Sequence, residues 1–287
     1  MEFNPIIIIG APRSGTNILR DVISSLPDFT TWPCDEINYI WRHGNAHYSN
    51  DELPKENVNP SIKKFIRSKF KALSKKNSAS FVVEKTCANS LRIPFVNKVL
   101  PEAKYIFIYR NGFDAIPSAM KRWSAKFEFK YIFNKAKFIP VSDMPFYSFS
   151  YLRNLFYKLL DKNSRLAFWG PKMKNYNKYL NTKSLEYLAS MQWKECIKKS
   201  IKDLKNIPKE NVFYISYEEF VERPEKTLKD ILKFLNVDIK NSEIKKSISE
   251  VKTDSIGKGK IGLSEIQINL LKKIINDQQI LLGYRDF

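Results

Sequence analysis

Residues 5–26 read PIIIIGAPRSGTNILRDVISSL, and this stretch decides the fold. Its four consecutive isoleucines are an apolar, β-branched run, typical of a strand buried on both faces of a parallel sheet. A loop bounded by Gly10 and Gly15 follows, and residues 18–26 then carry apolar side chains at helical spacing. A strand, a glycine-bounded loop and a helix in this order form the first half of a βαβ unit.

The same alternation continues along the chain. Residues 103–109 and 212–217 are apolar runs that precede predicted helices, one from about residue 114 and one over residues 224–235. Residues 81–84 are a candidate fourth strand. Strands alternating with helices predict a single α/β domain over residues 1–287, with a mostly parallel central sheet flanked by helices.

Two segments stand apart from this alternation. Residues 124–165 are aromatic and basic with mixed periodicity, and we expect a helical insertion that covers the acceptor side of the site. Stacking on single-stranded nucleic acid is the alternative for this insertion. Residues 61–76 have one apolar face and seven basic residues, a pattern also found in helices on membrane or glycan surfaces. We expect this helix to pack on the core with a solvated polar face.

The charge of the chain is strongly basic and unevenly spread. Lysine and arginine number 49 against 30 acidic residues, which gives a net charge of +19. Residues 61–160 hold 20 of the basic residues against five acidic ones. This excess favours a polyanionic partner such as a nucleotide, a sulfated glycan, a nucleic acid or an acidic membrane. Coding bias is the alternative, because 38 of the 49 basic residues are lysine.

Cysteine usage and the N-terminal residues bear on location. The three cysteines lie far apart, without metal-ligand spacing, and are odd in number, which favours a reducing compartment. We see no signal-peptide pattern and no apolar run of the ~20 residues that a membrane span needs. We therefore expect a cytoplasmic protein.

The loop after the first strand is the main candidate for anion binding. A turn between a buried strand and a helix presents backbone N–H groups at the positive end of the helix dipole. Gly10 and Gly15 are spaced as in the P-loop motif GxxxxGK[ST]. Thr16 replaces the lysine, Asn17 replaces the magnesium-binding Ser/Thr, and the cation comes earlier as Arg13. We expect a phosphate cradle that uses no metal.

The loop after residues 103–109 is a second candidate. If a helix begins near Asp114, Ser118 and Arg122 share one face, because they are four residues apart. Arg110 precedes this helix at the end of the strand. One hydroxyl and two guanidinium groups could then converge on a second anion, whereas the alternative is a surface cap with two solvated arginines. Two such sites suggest a ligand with two separated phosphate groups.

At this point the sequence resembles a known family. The matching segments are GAPRSGTN (residues 10–17), EKTxxNxxR (84–92), YRNGFDAIPS (109–118), WGP (169–171), QW (192–193), YISYEEF (214–220) and GKGKIGLS (257–264). In this order they resemble the sulfotransferases that use 3′-phosphoadenosine 5′-phosphosulfate (PAPS), in the branch of tyrosylprotein and bacterial enzymes. One departure is Asn17, where the family usually has a second threonine; its amide can donate the same kind of hydrogen bond.

The resemblance implies a P-loop-like nucleotide-binding core and a role for each matching position. Arg13, Ser14, Gly15, Thr16 and Asn17 would bind the 5′-phosphosulfate, and Arg110, Ser118 and Arg122 the 3′-phosphate. Tyr217 would lie near the adenine, and Lys258, Gly259 and Lys260 would close over the phosphates in a loop that moves on its glycines. Thr253 or Ser255 would add a hydroxyl. PAPS is thus the expected donor, and 3′-phosphoadenosine 5′-phosphate (PAP) the product.

The resemblance also implies the catalytic residues. Lys85 would stabilise the transferring sulfonate with Arg13, and Glu36 would take the proton of the acceptor hydroxyl. Asp35 and His43 remain alternative bases. In-line sulfuryl transfer depends on positioning and charge stabilisation, and cationic side chains can supply these without a metal.

The acceptor and the competing functions stay open. We expect a small-molecule, glycan or peptide acceptor, among carbohydrates, lipids, phenols and tyrosyl groups. Nucleic acid is not an expected partner, membrane-surface contact is not predicted, and the oligomeric state is open. The alternatives are a P-loop kinase using ATP and Mg²⁺ and a non-catalytic polyanion-binding protein.

Overall fold

The structure is a computed structural model that describes residues 2–123, 140, 143–144 and 169–284. Apart from residues 140, 143 and 144, the expected insertion at residues 124–165 lies outside the described residues. Within the described part of the chain, no helix combines the length and the apolar character that crossing a membrane requires.

The described residues form a five-stranded parallel sheet. Its strands are β1 (Asn4–Ile9), β2 (Phe29–Thr30), β3 (Phe81–Lys85), β4 (Lys104–Tyr109) and β5 (Val212–Ser216), in the order β2-β3-β1-β4-β5. Each neighbouring pair is parallel. This sheet, flanked by helices, confirms the predicted α/β fold class.

The α-helices connect and cover the strands. They are α1 (Thr16–Ser24), α2 (Asn38–Trp41), α3 (Pro60–Asn77), α4 (Ile93–Val99), α5 (Gly112–Trp123), α6 (Tyr176–Thr182), α7 (Leu185–Leu204), α8 (Tyr217–Glu222), α9 (Pro224–Leu235), α10 (Asn241–Ser247) and α11 (Glu265–Leu281). Short 3₁₀ turns occur at Lys55–Asn57, Cys87–Leu91 and Lys209–Asn211.

Two predicted boundaries differ from the structure. Helix α5 begins two residues before Asp114, at Gly112. Tyr217 opens helix α8 instead of ending a strand, because the Ser216 hydroxyl accepts a hydrogen bond from the Glu219 N–H at 3.1 Å and caps the helix there.

The isoleucines of β1 show why both faces of the sheet are covered. Ile7 and Ile9 join a core with side chains of α3, α4, α7 and α11, whereas Ile6 and Ile8 join a second core with side chains of α1, α8 and α9. Successive residues of a strand point to opposite faces, so an unbroken apolar run needs a helical layer on each side. Helix α3 packs into the first core through Ile62, Ile66 and Phe70, as expected from its apolar face.

The strand order brings the predicted loops to one edge of the sheet. β1 is the central strand, with β3 and β4 as its two neighbours. Ile8 pairs with Lys85 and Ile9 with Phe107, so the residues after β1, β3 and β4 leave the sheet side by side. Ligands of open α/β sheets bind at this carboxyl edge, where connections leave in opposite directions.

Candidate active site

The loop between β1 and α1 is held by its neighbours. The Gly10 N–H donates to Ser90 Oγ at 3.2 Å, and Ser90 Oγ donates to the Gly10 carbonyl at 3.0 Å. Gly15 has a φ of +84°, and a Cβ there would lie 2.3 Å from Cδ2 of Tyr217. Both the left-handed backbone and the close approach of the tyrosine ring require glycine at this position.

This loop can receive an anion. Helix α1 begins at Thr16 with no side-chain cap and no acidic residue in its first turn. Its positive end therefore has no carboxylate in that first turn to neutralise it. Ser14 is fully buried, and within the described part of the chain its hydroxyl oxygen has no hydrogen-bond partner. A buried hydroxyl without a partner is costly, so the loop is built for a polar ligand.

The arginines predicted to bind two separate phosphates form one cluster. Arg13 Nε donates to Ser118 Oγ at 2.9 Å, and Arg110 Nη1 donates to the Arg13 carbonyl at 3.1 Å. Partial burial, followed by the charges of Arg122 and Arg110, lowers the pKa of the Arg13 guanidinium. Arg110 is buried, and no described side chain or backbone group bonds its Nε. Like charges held this close favour an anion between them.

Tyr217 and Asn17 border this cluster. The Tyr217 ring lies under the Arg110 guanidinium, with 4.4 Å between Arg110 Cζ and the ring centroid. The edge of the tyrosine ring packs on Gly15. Asn17 lines a groove of about 590 Å³ between α1 and α10, together with Ile18 and Val22. The two predicted donor contacts thus lie on different sides of the loop.

The start of α5 differs from that of α1 in its backbone amides. Its first N–H groups are already used: Asn111 N donates to Glu218 Oε1 at 3.1 Å, Gly112 N to Gln279 Oε1 at 3.1 Å, and Phe113 N to Asn111 Oδ1 at 2.9 Å. An anion at this strand end would be bound by side chains and not by these amides. Glu218 and Gln279 were not predicted as site residues; Gln279 lies 167 residues from its partner Gly112, so no local pattern links them.

The loop of residues 255–260, the late loop, lies against the start of α5. Arg110 Nη2 donates to the Ser255 carbonyl, and the N–H groups of Gly257 and Gly259 donate to Asp114 at 2.8 and 2.7 Å. A Cβ on Gly259 would lie 1.7 Å from the Phe113 carbonyl oxygen. Gly259 therefore serves close packing of the loop on α5, and the hinge motion expected of the loop glycines stays a prediction.

Two lysines and a threonine from this part of the chain were also predicted as site residues. Lys258 and Lys260 are both exposed, and the Lys260 ammonium lies 5.1 Å from the centroid of the Phe113 ring. Thr253 is also exposed. The loop therefore holds two exposed cations beside the start of α5, and its Ser255 carbonyl bonds Arg110.

Lys85 and Glu36 form an ion pair at the end of β3. Lys85 Nζ lies 3.1 Å from Glu36 Oε1, and the Lys85 side chain is 3% exposed. Burial is the largest single influence and would lower the pKa of Lys85, but the Glu36 carboxylate, through its charge and its hydrogen bond, acts together with Cys87 against it, and the pKa is raised. The lysine is therefore a charged ammonium inside the protein.

Cys87 connects this pair to the first loop. Its N–H donates to Glu36 Oε1 at 3.3 Å, and its Sγ lies 3.8 Å from Thr16 Oγ1. The candidate base and the first residue of α1 are thus in contact with the same residue. Burial raises the pKa of the Cys87 thiol to about 12, so this thiol stays protonated at neutral pH.

The other two candidate bases have different partners. Arg20 lies 3.8 Å from the Asp35 carboxylate and donates to the Asp35 carbonyl at 3.1 Å. His43 Nδ1 lies 2.9 Å from Asp143 Oδ2, and its ring lies 3.7 Å from the Phe65 ring, centroid to centroid. Of the three, Glu36 is the one for which the described contacts include Lys85.

The EKTxxNxxR segment is a buried hydrogen-bond network. Thr86 Oγ1 and Asn89 Nδ2 donate to the two Glu84 oxygens, and Arg92 Nε donates to Asn89 Oδ1. The Ile37 N–H donates to Thr86 Oγ1 at 3.2 Å, next to the candidate base. Burial raises the pKa of Glu84 to about 7. The motif therefore supports the segment that carries Glu36 in addition to supplying Lys85.

Two further matching segments contact each other. Gln192 Nε2 donates to the carbonyls of Trp169 and Pro171, both at 3.0 Å, across the turn at Gly170. A Cβ on Gly170, whose φ is +78°, would lie 2.7 Å from Gln192 Nε2. The WGP turn and the QW pair are therefore one structural unit.

The parallel sheet and the cationic cluster at its carboxyl edge define an α/β protein of the nucleotide-binding class. A family model described as the sulfotransferase family matches residues 5–139 and 152–241. The chain belongs to the sulfotransferase family, which confirms the resemblance seen in the sequence. It also confirms the enzyme class, a PAPS-dependent sulfotransferase.

Similar solved structures are also sulfotransferases. The sulfotransferase domain from the curacin biosynthetic pathway is 15% identical, with a TM-score of 0.55 over 99% of each chain. An enzyme from Alicyclobacillus acidocaldarius is 15% identical, with a TM-score of 0.53 over 100% of this chain and 98% of that one. One from Mycobacterium avium is 12% identical, with a TM-score of 0.56 over 98% and 77%. These likenesses support the fold. A comparison with curated protein sequences found no match to the chain.

Proposed function

We propose that this sulfotransferase binds PAPS across the first loop and the arginine cluster. Both carry a buried polar atom that lacks a described partner, Ser14 Oγ and Arg110 Nε, and a bisphosphate offers oxygens to both. When bound, PAPS supplies an activated sulfuryl group with a phosphate as its leaving group. The residues present therefore fit the donor that the family uses.

The proposed donor contacts follow from the chemistry of each position. The amides of the first loop, with Arg13, Ser14 and Thr16, bind the 5′-phosphosulfate at the positive end of α1. Arg110, Ser118 and Arg122 bind the 3′-phosphate. Because Arg13 already bonds Ser118 at 2.9 Å, this arginine lies between the two phosphate positions.

The outer parts of the donor would lie next to these phosphates. We place Tyr217 beside the adenine, because its ring already packs on Gly15 and under Arg110. Lys258 and Lys260 add positive charge from the late loop, where Gly259 allows the backbone to approach α5.

For catalysis we propose that Glu36 removes the acceptor proton while Lys85 stabilises negative charge on the transferring sulfonate. The single observation that supports this pairing is Cys87, which bonds Glu36 through its N–H and contacts Thr16 through its sulfur. An oxygen held beside Thr16 would then lie within reach of both ionised groups. Positioning and charge stabilisation of this kind are the main terms in such transfers.

The proposed acceptor is a hydroxyl of a carbohydrate, lipid, phenol or tyrosyl group. The segment that we expect to cover it, residues 124–165, lies almost wholly outside the described residues. The proposed compartment is the cytoplasm, in keeping with three cysteines that are all free thiols.

Two measurements test the proposal. PAP should raise the melting temperature of the protein at micromolar concentration, and ATP with Mg²⁺ should not. Radiolabelled sulfate from PAPS should then be transferred to at least one member of a panel of sugars, lipids, phenols and tyrosyl peptides. Stabilisation by ATP and Mg²⁺ alone would refute the donor assignment.

A further inference from the structure

Asp114 makes an unusual pair of contacts for an acidic residue in a cationic site. Its Oδ2 accepts from the Gly257 N–H at 2.8 Å and its Oδ1 from the Gly259 N–H at 2.7 Å. The residue is 7% exposed, so both oxygens are used on the late loop within the protein. Each is a charge-assisted hydrogen bond, which is stronger than one between neutral groups.

The position of Asp114 on α5 explains how it can do this. An acidic residue in the first turn of a helix commonly pairs with the helix's own free amides. Here those amides already bond Glu218, Gln279 and Asn111. The Asp114 carboxylate is therefore available to the late loop.

The loop is shaped to meet this carboxylate. A Cβ on Gly259 would lie 2.5 Å from the Asp114 Cα, so the backbone passes directly over the helix start. The same loop returns to Arg110, which donates to the Ser255 carbonyl and lies 3.9 Å from the Asp114 carboxylate. Asp114 thus links the loop and the arginine from one point.

We propose that Asp114 is a positioning residue that holds the late loop, residues 255–260, in its donor-binding shape. The proposal rests on the proposed donor site: Asp114 orders the loop that brings Lys258 and Lys260 to the arginine cluster. A loop ordered before the donor arrives loses less conformational entropy on binding.

The direction in which PAP affinity changes when Asp114 is replaced separates a positioning role from a purely electrostatic one. Asp114 places a negative charge beside a site for phosphates, so removing that charge would by itself tighten PAP binding. If Asp114 acts by positioning, Asp114→Asn must instead weaken binding, because an amide has one acceptor oxygen where the loop supplies two donors.

The test compares Asp114→Asn and Asp114→Ala with Asp254→Asn, which removes an exposed charge from the loop's approach. Hydrogen exchange without ligand should speed up at Gly257 and Gly259 in both Asp114 variants and stay unchanged in the control. The Kd for PAP and the KM for PAPS should rise about tenfold to hundredfold in Asp114→Ala. The kcat should change by less than about threefold, since the residue does not touch the reacting atoms.

Three results would overturn the proposal: unchanged exchange in the loop, PAP binding by Asp114→Asn as tight as wild type, or a fall in kcat with KM unchanged. If Asp114→Ala does not fold, Gly259→Ala provides a second test. Its new Cβ would collide with α5 and push the loop away from Asp114, so it should give the same exchange and Kd changes. A wild-type protein that fails to bind PAP would refute the proposed donor, whereas the ligand-free exchange still decides whether Asp114 holds the loop.

Discussion

At the scale of single residues, the proposed chemistry depends on the ion pair between Lys85 and Glu36. A buried ammonium is stable when a carboxylate compensates it, and here the carboxylate is itself the proposed base. When Glu36 takes a proton, Lys85 loses its partner and is left to face another anion. The pair therefore couples proton removal to charge stabilisation at the transferring group.

We predict that Glu36→Gln lowers kcat by about 10²- to 10⁴-fold, the usual contribution of a general base. The Kd for PAP should change less than twofold, because the contacts described for the side chain are with Lys85 and Cys87, at the end of β3. Steady-state transfer assays and calorimetry measure the two quantities. The exposed Glu56→Gln is the matched control. Loss of activity in Asp35→Asn with an active Glu36→Gln would move the base to Asp35.

Glu84 should make the stability of the protein depend on pH. Burial raises its folded pKa to about 7 from an ordinary value of 4.5, so the folded state holds this proton more tightly than the unfolded state. Between those two pH values the free energy of unfolding should fall as pH rises, by roughly 3 kcal/mol from this group alone.

The test for Glu84 compares denaturation of wild type and Glu84→Gln at pH 5, 6, 7 and 8. Glutamine is neutral throughout, so the variant should gain stability relative to wild type as pH rises across this range. Glu56→Gln should follow wild type at every pH, since Glu56 is exposed. Parallel curves for wild type and Glu84→Gln would show that Glu84 does not titrate in this window.

At the scale of elements, the junction between β1 and α1 depends on Gly15. We predict that Gly15→Ala abolishes measurable PAP binding, because the new Cβ would collide with the Tyr217 ring and strain a backbone at φ +84°. The backbone strain costs about 1–2 kcal/mol, and the collision about 1–3 kcal/mol more.

A second glycine separates these two effects. Gly262 has a nearly equal φ of +86° with open space where a Cβ would lie. Gly262→Ala should therefore show the strain without the collision and keep PAP binding within a few-fold of wild type. Urea denaturation and calorimetry on both variants measure the difference. Equal losses in the two variants would mean that contact with Tyr217 does not shape the loop.

The elements differ in how far the sequence predicted them. β1, β4 and β5 contain continuous apolar runs rich in β-branched or aromatic residues, and their short length and composition identify them as strands. β2 has two residues, Phe29–Thr30, too few for any period to show. The ends of α5 and α8 depend on which side chain caps which amide, and the caps of α5 come from distant parts of the chain.

In the candidate site, too, some residues could be predicted from the sequence, whereas the contacts of others depend on distant parts of the chain. Arg13 and Arg110 were predicted from the local sequence of their loops, and Lys85 from the family resemblance. Asp114 stands inside a quoted motif, yet its role depends on Gly257, 143 residues away. Contacts of this kind are set by how the helices pack on the sheet, which no local pattern records.

At the scale of the whole molecule, the end of the chain supports the donor site. Helix α11 packs along α7 and α5. From it Gln279 accepts from the Gly112 N–H at 3.1 Å and donates to Asn111 Oδ1 at 2.8 Å. Tyr284 donates to Glu218 at 2.6 Å, and Glu218 in turn accepts from the Asn111 N–H. Residues near 110 and near 280 therefore form one hydrogen-bonded unit next to Arg110.

We predict that Gln279→Met raises the Kd for PAP about three- to thirtyfold, although Gln279 touches no proposed donor group. Methionine fits the buried space but leaves the Gly112 N–H unpaired, at about 1–3 kcal/mol. It also takes one of two donors from the Asn111 oxygen, which still accepts from the Phe113 N–H. Gln278→Met is the matched control: it lies on the same helix, is also buried, and its side-chain oxygen has no partner among the described residues. Calorimetry with PAP and thermal denaturation measure binding and stability. Equal Kd values for the two variants would show that α11 stabilises the fold without shaping the donor site.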